Sequence, residues 1–387
     1  MKFLHISDLH LGKKLNEFSL VEDQEYIIYK ILQCIDEQKP DALLVAGDIY
    51  DKSIPSVEAV KLFDFFLKNL AQRKIQTFII SGNHDSPERM TCGSSLMETS
   101  GIHFAPVYDG TCCKYELQDT HGTVNIYLLP FVKPVVVKAA LEKNGQSEQA
   151  EQIVSYDHAV QAAVLQMSVD FSQRNVLVAH QFVTGSARCD SEDISVGGQD
   201  NIDAAVFGKF DYVALGHLHG MQKAGGDNIW YSGSPLKYSF SEANHHKGGL
   251  IIELNKKGEL KVEPVSFEPS HDLRKIKGTY EELTLKKYWE QMGEGVNDYL
   301  HITLTDEEEI PEAFSRLALI YKNLVSIQYD NTRTQKDNQI DGAINIERTS
   351  PLDLFEGFYE LQNNQKFSEE QKKFSQTIIE EIWGGKK

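Results

Sequence analysis

Five short apolar runs, each closed by residues of the kind that bind divalent cations, constrain this chain more than any other feature. Phe3-Leu4-His5-Ile6-Ser7 leads to Asp8 and His10, and Ala42-Leu43-Leu44-Val45 leads to Gly47-Asp48-Ile49-Tyr50-Asp51. Thr77-Phe78-Ile79-Ile80 precedes Asn83, His84 and Asp85; Val176-Leu177-Val178-Ala179 precedes His180; Tyr212-Val213-Ala214-Leu215 precedes His217 and His219. A short apolar run bounded by turn residues reads as a buried strand. Open α/β sheets place their ligands at the carboxyl ends of such strands. A lone Asp-x-His arises by chance, and a lone strand histidine is more often part of the core. Five in series describe one site, read here as a two-metal centre bridged by Asp48, whose carboxylate has two oxygens to share.

The segments between these runs supply the rest of a layered α/β fold. Ile27, Ile28, Ile31, Leu32 and Ile35 recur at helical spacing from about Val21 to Gln38, and Pro40 stops them. Ser56 to Arg73 repeats the pattern, with Pro55 and Ser56 as start signals. Strand and helix alternating in this way predict helices outside a sheet. Val124 to Leu129 reads as a strand, Tyr156 to Phe171 as a helix, and Thr184 to Asn201 as a polar loop beside the site. Ile229 to Ser232, Leu250 to Leu254 and Leu260 to Val265 read as successive antiparallel strands of a second sheet facing the first. The catalytic domain is expected over 1–269. A small α+β capping domain follows over 270–345, with a strand at Asp298 to Leu304, a helix from Ile310 to Lys322 and a strand at Leu324 to Tyr329. The segment 346–387 is expected to carry two helices, Pro351 to Asn363 and Ser368 to Trp383.

Composition narrows the function. The 41% hydrophobic and 25% charged residues are ordinary for a globular protein, and no stretch reaches the ~20 apolar residues of a membrane span. No secretory signal is visible, so the expectation is cytoplasmic, without a membrane. The five scattered cysteines, Cys34, Cys92, Cys112, Cys113 and Cys189, read as reduced thiols. A net charge of −18 excludes a broad basic face for nucleic acid, so any such contact is confined, metal-assisted or helped by a partner. Aspartate, histidine and asparagine together suit manganese, iron or zinc better than calcium.

Asp8-x-His10, Gly47-Asp48-x-x-Asp51, Gly82-Asn83-His84-Asp85, His180 and Gly216-His217-x-His219 resemble the signature of the calcineurin-like metallophosphoesterases over roughly the first 270 residues. The resemblance implies a sandwich of two mixed β-sheets flanked by helices. It implies that Asp8, His10, Asp48 and His219 hold one metal and that Asp48, Asn83, His180 and His217 hold the other. It makes His84 a non-ligand histidine that meets the phosphate and helps the leaving oxygen depart, with Asp85 orienting it. Asp51 is expected to support the site, His5 to belong to the core, and His245 and His246 to be solvated.

Asp8-Leu9-His10-Leu11-Gly12, Asn83-His84-Asp85-Ser86-Pro87-Glu88-Arg89 and the stretch Gly233 to Glu242 are similar, more narrowly, to the SbcD family of nuclease subunits. That similarity implies a manganese-dependent exonuclease and endonuclease on DNA, including hairpins, working as a homodimer with an SbcC-like ATPase in DNA repair. Lys13, Lys14 and Arg89 follow the site loops and are candidates for DNA phosphates, with Lys237 and Tyr238 as further candidates along the DNA path. Phe355, Phe358, Tyr359, Ile378, Ile382 and Trp383 mark an aromatic tail expected to dock the ATPase, or else to pack on its own domain. A phosphatase or small phosphodiesterase on the same fold is the alternative, which the acidity favours and the extra domain and tail disfavour.

Overall fold

The computed structural model describes residues 1–192, 201–331 and 367–384, with single positions between 352 and 359. The chain divides into two compact units. One comprises Met1–Lys275, Gly293–His301 and Tyr321–Val325; the other comprises Ile276–Met292, Ile302–Ile320 and Ser326–Lys387.

Twelve strands of the first unit build two six-stranded mixed sheets. In chain order they are β1 (Lys2–Ile6), β2 (Ala42–Ala46), β3 (Gln76–Ile80), β4 (Ile102–Ala105), β5 (Cys113–Asp119) and β6 (Gly122–Leu129). There follow β7 (Arg174–His180), β8 (Tyr212–Gly216), β9 (Gln222–Lys223), β10 (Ile229–Tyr231), β11 (Gly248–Leu254) and β12 (Leu260–Ser266). The first sheet runs β12-β11-β1-β2-β3-β4, parallel from β1 to β4 and antiparallel at β11 and β12. The second runs β9-β10-β8-β7-β6-β5, with β6, β7, β8 and β10 parallel.

Side-chain alternation sorts the core into layers, because successive strand residues face opposite sides. Phe3, Leu44, Ala46, Phe78 and Ile80 of the first sheet meet Ile126, Leu128, Val176, Val178 and Ala214 of the second. Leu4, Ile6, Leu43, Val45 and Ile79 face the other way, under α1 (Val21–Gln38) and α2 (Val57–Arg73), against Ile27, Ile31, Phe63 and Phe66. Tyr127, Leu129, Leu177 and Val213 pack on Val137 and Leu141 of α3 (Pro134–Lys143) and Ala159 and Ala163 of α4 (Tyr156–Gln166). Truncating a ring such as Phe78 in the middle layer would cost about 3–5 kcal/mol. Ser56 caps α2 by accepting from the Ala59 N–H at 3.2 Å, a contact of the kind worth ~1 kcal/mol. His5 falls on the inter-sheet face in phase with Phe3, bonded to the Tyr212 hydroxyl at 2.9 Å, and burial pushes its imidazole down to about 3.

Three expectations are corrected. The strands at 229–266 do not form one antiparallel set. β10 lies parallel beside β8, whereas β11 and β12 extend the first sheet from β1. The reason is in β11, buried on both faces, which needs an interior position; β12 is half exposed and takes the edge. The second sheet is built instead around β6, β7 and β8. Next, the expected helix from Ile310 to Lys322 shrinks to Ala313–Leu317, because Glu312 adopts a left-handed φ of 56° at its start and no side chain caps it. The expected helix Tyr156 to Phe171 ends early, at Gln166, with Ser168 in a left-handed conformation.

Three strands, β13 (Leu273–Gly278), β14 (Tyr299–Leu304) and β15 (Leu324–Tyr329), form a separate sheet in that order. Near the carboxyl end, α5 spans Glu369–Gly384. The rings of Phe355 and Tyr359 pack on Phe367, while Ile378 is 38% exposed. Phe358 and the side chains of Ile382 and Trp383 lie outside the described residues. Among the described residues, no helix is long and apolar enough to cross a membrane.

Candidate metal centre

The carboxyl ends of β1, β2, β3, β7 and β8 open on one spot, so that Asp8, His10, Asp48, Asn83, His180, His217 and His219 come together. The loops after β1 and β2 are laced by backbone bonds: Asp8 N–H to Gly47 O at 3.1 Å, and His10 N–H to Asp48 O at 3.0 Å. Asp8, His10, Asp48 and His217 all have positive φ, at 53°, 43°, 48° and 101°. A non-glycine residue in that region costs of order 1–3 kcal/mol and persists only where surrounding structure enforces it. Here the strained backbone turns four polar side chains into one space.

Two motif glycines are there for room. A Cβ on Gly82 would stand 2.0 Å from Asp48 Oδ1, and one on Gly216 would stand 1.9 Å from the Ala46 carbonyl oxygen. Gly82→Ala is therefore expected to displace the Asp48 carboxylate, costing about 1–3 kcal/mol as overpacking does and weakening cation uptake with it. Thermal unfolding and calorimetric metal titration of the variant check both effects.

Among the described residues three clusters have ligand atoms within 4.8 Å of one another: Asp8, His10 and His219; Asp8, Asp48 and His180; and His10, Asp48 and His84. His10 Nε2 lies 3.1 Å from His219 Nε2 and 3.6 Å from Asp48 Oδ2. On the other side, Asp48 Oδ2 is 3.3 Å from His180 Nε2. Asn83 Oδ1 lies 3.0 Å from His180 Nε2 and 2.9 Å from His217 Nδ1. Asp48 thus stands between two groups of ligand atoms.

The protons can be counted. The Ala46 carbonyl oxygen, 2.8 Å from His180 Nδ1, can only accept, so Nδ1 carries the hydrogen and Nε2 offers a lone pair. That lone pair faces a carboxylate oxygen and an amide oxygen. Three acceptors in contact need positive charge among them, and the mixed nitrogen and oxygen set fits manganese, iron or zinc. Electrostatics carries the same demand. Burial opposes charge on His180, but Asp48, Asp8 and the Ala46 bond outweigh it and push its imidazole up to about 9, so without a cation the positive charge is a proton on Nε2, and a bound cation would take that proton's place. Burial also opposes charge on Asp48, yet His180, His10 and His84 hold its carboxyl well below the usual range.

His84 and Asp85 part company. His84 Nδ1 donates to the Asp51 carbonyl oxygen at 3.0 Å, its backbone N–H donates to Asp48 Oδ1 at 2.9 Å, and its Nε2 lies 4.0 Å from Asp48 Oδ2. Asp85, expected to orient His84, accepts instead from the backbone N–H groups of Ile49, Tyr50 and Gly82 at 3.1, 2.9 and 2.9 Å. It braces the Asp48 loop. Burial and the nearby Asp48 charge push its carboxyl up to about 6 despite those bonds.

The cationic candidates separate in the same way. Lys14 and Arg89 are exposed, and Lys13 is engaged by the Asp51 carboxylate at 2.8 Å. Lys237 and Tyr238 are not on an open path. Lys237 is only 10% exposed, held by the Ala243 carbonyl at 2.7 Å and the Asp272 carboxylate at 2.9 Å. Tyr238 is buried, donates to the Leu9 carbonyl and sets its ring edge-on to His10 and His219 at 5.4 and 5.5 Å. It walls the site. Residues that the sequence reading missed complete the support. Gln24 holds the Gly12 N–H and the His10 carbonyl at 2.9 and 2.7 Å, and buried Glu242 and Lys247 pair behind His219. A buried glutamate closing the Gly233 to Glu242 stretch was the one available signal.

Residues 1–221 match the calcineurin-like phosphoesterase family, and residues 269–363 match the type 5 capsule protein repressor C-terminal domain. The chain is 31% identical to the D subunit of nuclease SbcCD from Staphylococcus epidermidis over 378 residues, 96% of each protein. Among solved structures it is similar to TT1561 of Thermus thermophilus, with 11% identity, coverage of 68% of this chain and 98% of that one, and a TM-score of 0.39. A dimetal phosphatase from Danio rerio gives 12% identity, coverage of 69% and 96%, and a TM-score of 0.39. On the family match and the near full-length identity, the chain belongs to the calcineurin-like phosphoesterases and, within them, to the SbcD family of nuclease subunits.

Proposed function

We propose that this protein is the nuclease subunit of an SbcCD-type complex, hydrolysing phosphodiester bonds of DNA as an exonuclease and endonuclease with two divalent cations, manganese foremost. The observation that carries the reading is the Asp48 carboxylate, its Oδ2 3.6 Å from His10 Nε2 on one side and 3.3 Å from His180 Nε2 on the other. Asp8, His10, Asp48 and His219 would hold one cation, and Asp48, Asn83, His180 and His217 the other. Held there, two cations would supply a water activated at neutral pH and charge neutralisation at the phosphate oxygens.

The chain's own residues do the rest. The Ala46 carbonyl keeps His180 presenting Nε2. The Asp51 carbonyl holds the Nδ1 hydrogen of His84. In the imidazolium form, its second proton taken up from solvent, Nε2–H would donate to a phosphate oxygen and pass that proton to the leaving oxygen, the neutral imidazole being reprotonated by solvent. The rings of Tyr238 and Phe131, beside His10 and His180, limit water at the back of the site. Lys14 and Arg89, exposed on the segments that follow ligand loops, would offer DNA the positive charge that a chain of net charge −18 needs. The family likeness supports an SbcC-like ATPase as partner, docked through the carboxyl-terminal helices, and a homodimer of this protein in the cytoplasm, with the nuclease, capping and docking segments at 1–269, 270–345 and 346–387.

The test is to incubate the purified protein with manganese and end-labelled single-stranded, duplex and hairpin DNA, alone and with the ATPase, beside a chromogenic phosphodiester. Manganese-dependent DNA cutting is expected. Rapid turnover of the small ester with DNA left intact would replace this reading with a small-substrate phosphodiesterase.

A further inference from the structure

Of the stretch Gly233 to Glu242, only the ring of Tyr238 has a role in the chemistry above. Its last residue has a distinctive place. Glu242 is fully buried, and its Oε1 accepts from the Ser191 hydroxyl at 2.6 Å, the Ser239 hydroxyl at 3.1 Å and the Tyr238 N–H at 3.1 Å. Its Oε2 accepts from Lys247 Nζ at 2.5 Å. Lys247 spends its two other hydrogens on the His219 carbonyl at 2.7 Å and the Ser234 hydroxyl at 2.8 Å. Salt-bridged on one oxygen and hydrogen-bonded on the other, Glu242 is a carboxylate that can only accept.

Ser191 lies between that carboxylate and the metal centre, its Oγ 2.8 Å from His219 Nδ1. A hydroxyl has one hydrogen. Given to Glu242, it leaves only lone pairs for His219, so His219 Nδ1 must be the donor. The lone pair of that imidazole is then on Nε2, the atom 3.1 Å from His10 Nε2 and inside the cluster with Asp8. The rest of His219 is pinned as well, its N–H to Glu192 Oε1 at 2.6 Å and its carbonyl to Lys247. Glu192 Oε2 in turn accepts from the Cys189 N–H at 3.0 Å, and the Asp190 N–H donates to Ser241 Oγ at 3.0 Å, so the loop carrying Ser191 is fastened on both sides.

We infer that Ser191 and Glu242 are positioning residues for one of the two cation sites: through a Glu242–Ser191–His219 relay they fix the His219 tautomer and ring, selectively strengthening the site of Asp8, His10 and His219. The inference rests on the two-cation reading of the centre. The other site is set differently, with His180 held by a backbone carbonyl, and has no part in the relay. Groups that orient a ligating histidine typically change metal affinity 10–100-fold.

Manganese titration of the full chain, by calorimetry and electron paramagnetic resonance, tests it with Ser191→Ala and Ser191→Thr. Two equivalents are expected for the unaltered protein. In Ser191→Ala one step should weaken about 10–100-fold while the other holds, and Ser191→Thr, which keeps the hydroxyl, should restore it. In the metal-free protein, nitrogen NMR of the imidazole should show the Nδ1–H form of His219, and a mixture of tautomers in Ser191→Ala. Ser191 is the residue to alter first, because Glu242→Gln leaves Lys247 buried without its counter-ion and endangers folding. Two unchanged steps, two equally weakened steps, or a threonine variant no better than alanine would overturn the relay. An unaltered protein that takes up no manganese would sink the two-cation reading itself, and the metal-free tautomer would then decide the relay alone.

Discussion

Asp48→Asn is expected to reduce DNA hydrolysis by more than about 10³-fold, beyond the ~10²–10³ that loss of a single transition-state donor costs. The carboxylate has two jobs. Oδ1 accepts the His84 N–H, and Oδ2 stands between His180 on one side and His10 on the other. An amide can do only one of them. If its oxygen keeps the His84 bond, its NH₂ points two hydrogens into a space lined by acceptors, where a bridging lone pair is required. The negative charge between the two groups is lost as well, and with it the attraction for a second cation. Manganese stoichiometry should therefore fall below two in the same variant, with the fold retained, because asparagine is isosteric and keeps the backbone contact. Near-normal cutting by Asp48→Asn would show that the reaction does not need a bridge.

The strand-end residues are legible in sequence because each follows a short apolar run bounded by turn residues, which reads as a buried strand, and parallel strands bring their carboxyl ends together. The helices Val21–Gln38 and Val57–Arg73 are legible for the same kind of reason, a 3.6-residue apolar period with clear stops. Sheet membership was not. Whether β10 joins β8 or β11 depends on pairing between residues far apart in the chain, and apolar pattern alone carries no partner. The support of the site was harder still. Asp85 follows His84 directly, yet in the tight turn it points away to three backbone N–H groups, and a main-chain oxygen of Asp51 does the orienting instead. A carbonyl is present at every residue, so no residue type announces it. Ser191 and Glu242 are separated by 51 positions and only folding shows them bonded.

His84→Ala should produce the second large loss, about 10²–10⁴-fold on DNA, the range that a positioned proton donor contributes. Its signature differs from that of Asp48→Asn. The alanine variant keeps the backbone N–H that holds Asp48 Oδ1, and His84 is no part of either set of proposed ligands, so two manganese ions should still bind with unchanged affinity. The loss should also depend on the leaving group. A DNA 3′ or 5′ oxygen departs as an alkoxide and needs a proton, which His84 Nε2 is placed to give because Nδ1 is committed to Asp51. A nitrophenolate departs without one. The variant should therefore cleave an activated nitrophenyl ester far better, relative to the unaltered protein, than it cleaves DNA. Equal losses on both esters would assign His84 to binding the phosphate alone; loss of manganese together with activity would make it a ligand, because the ring edge-on to His10 at 4.8 Å is near enough to be recruited.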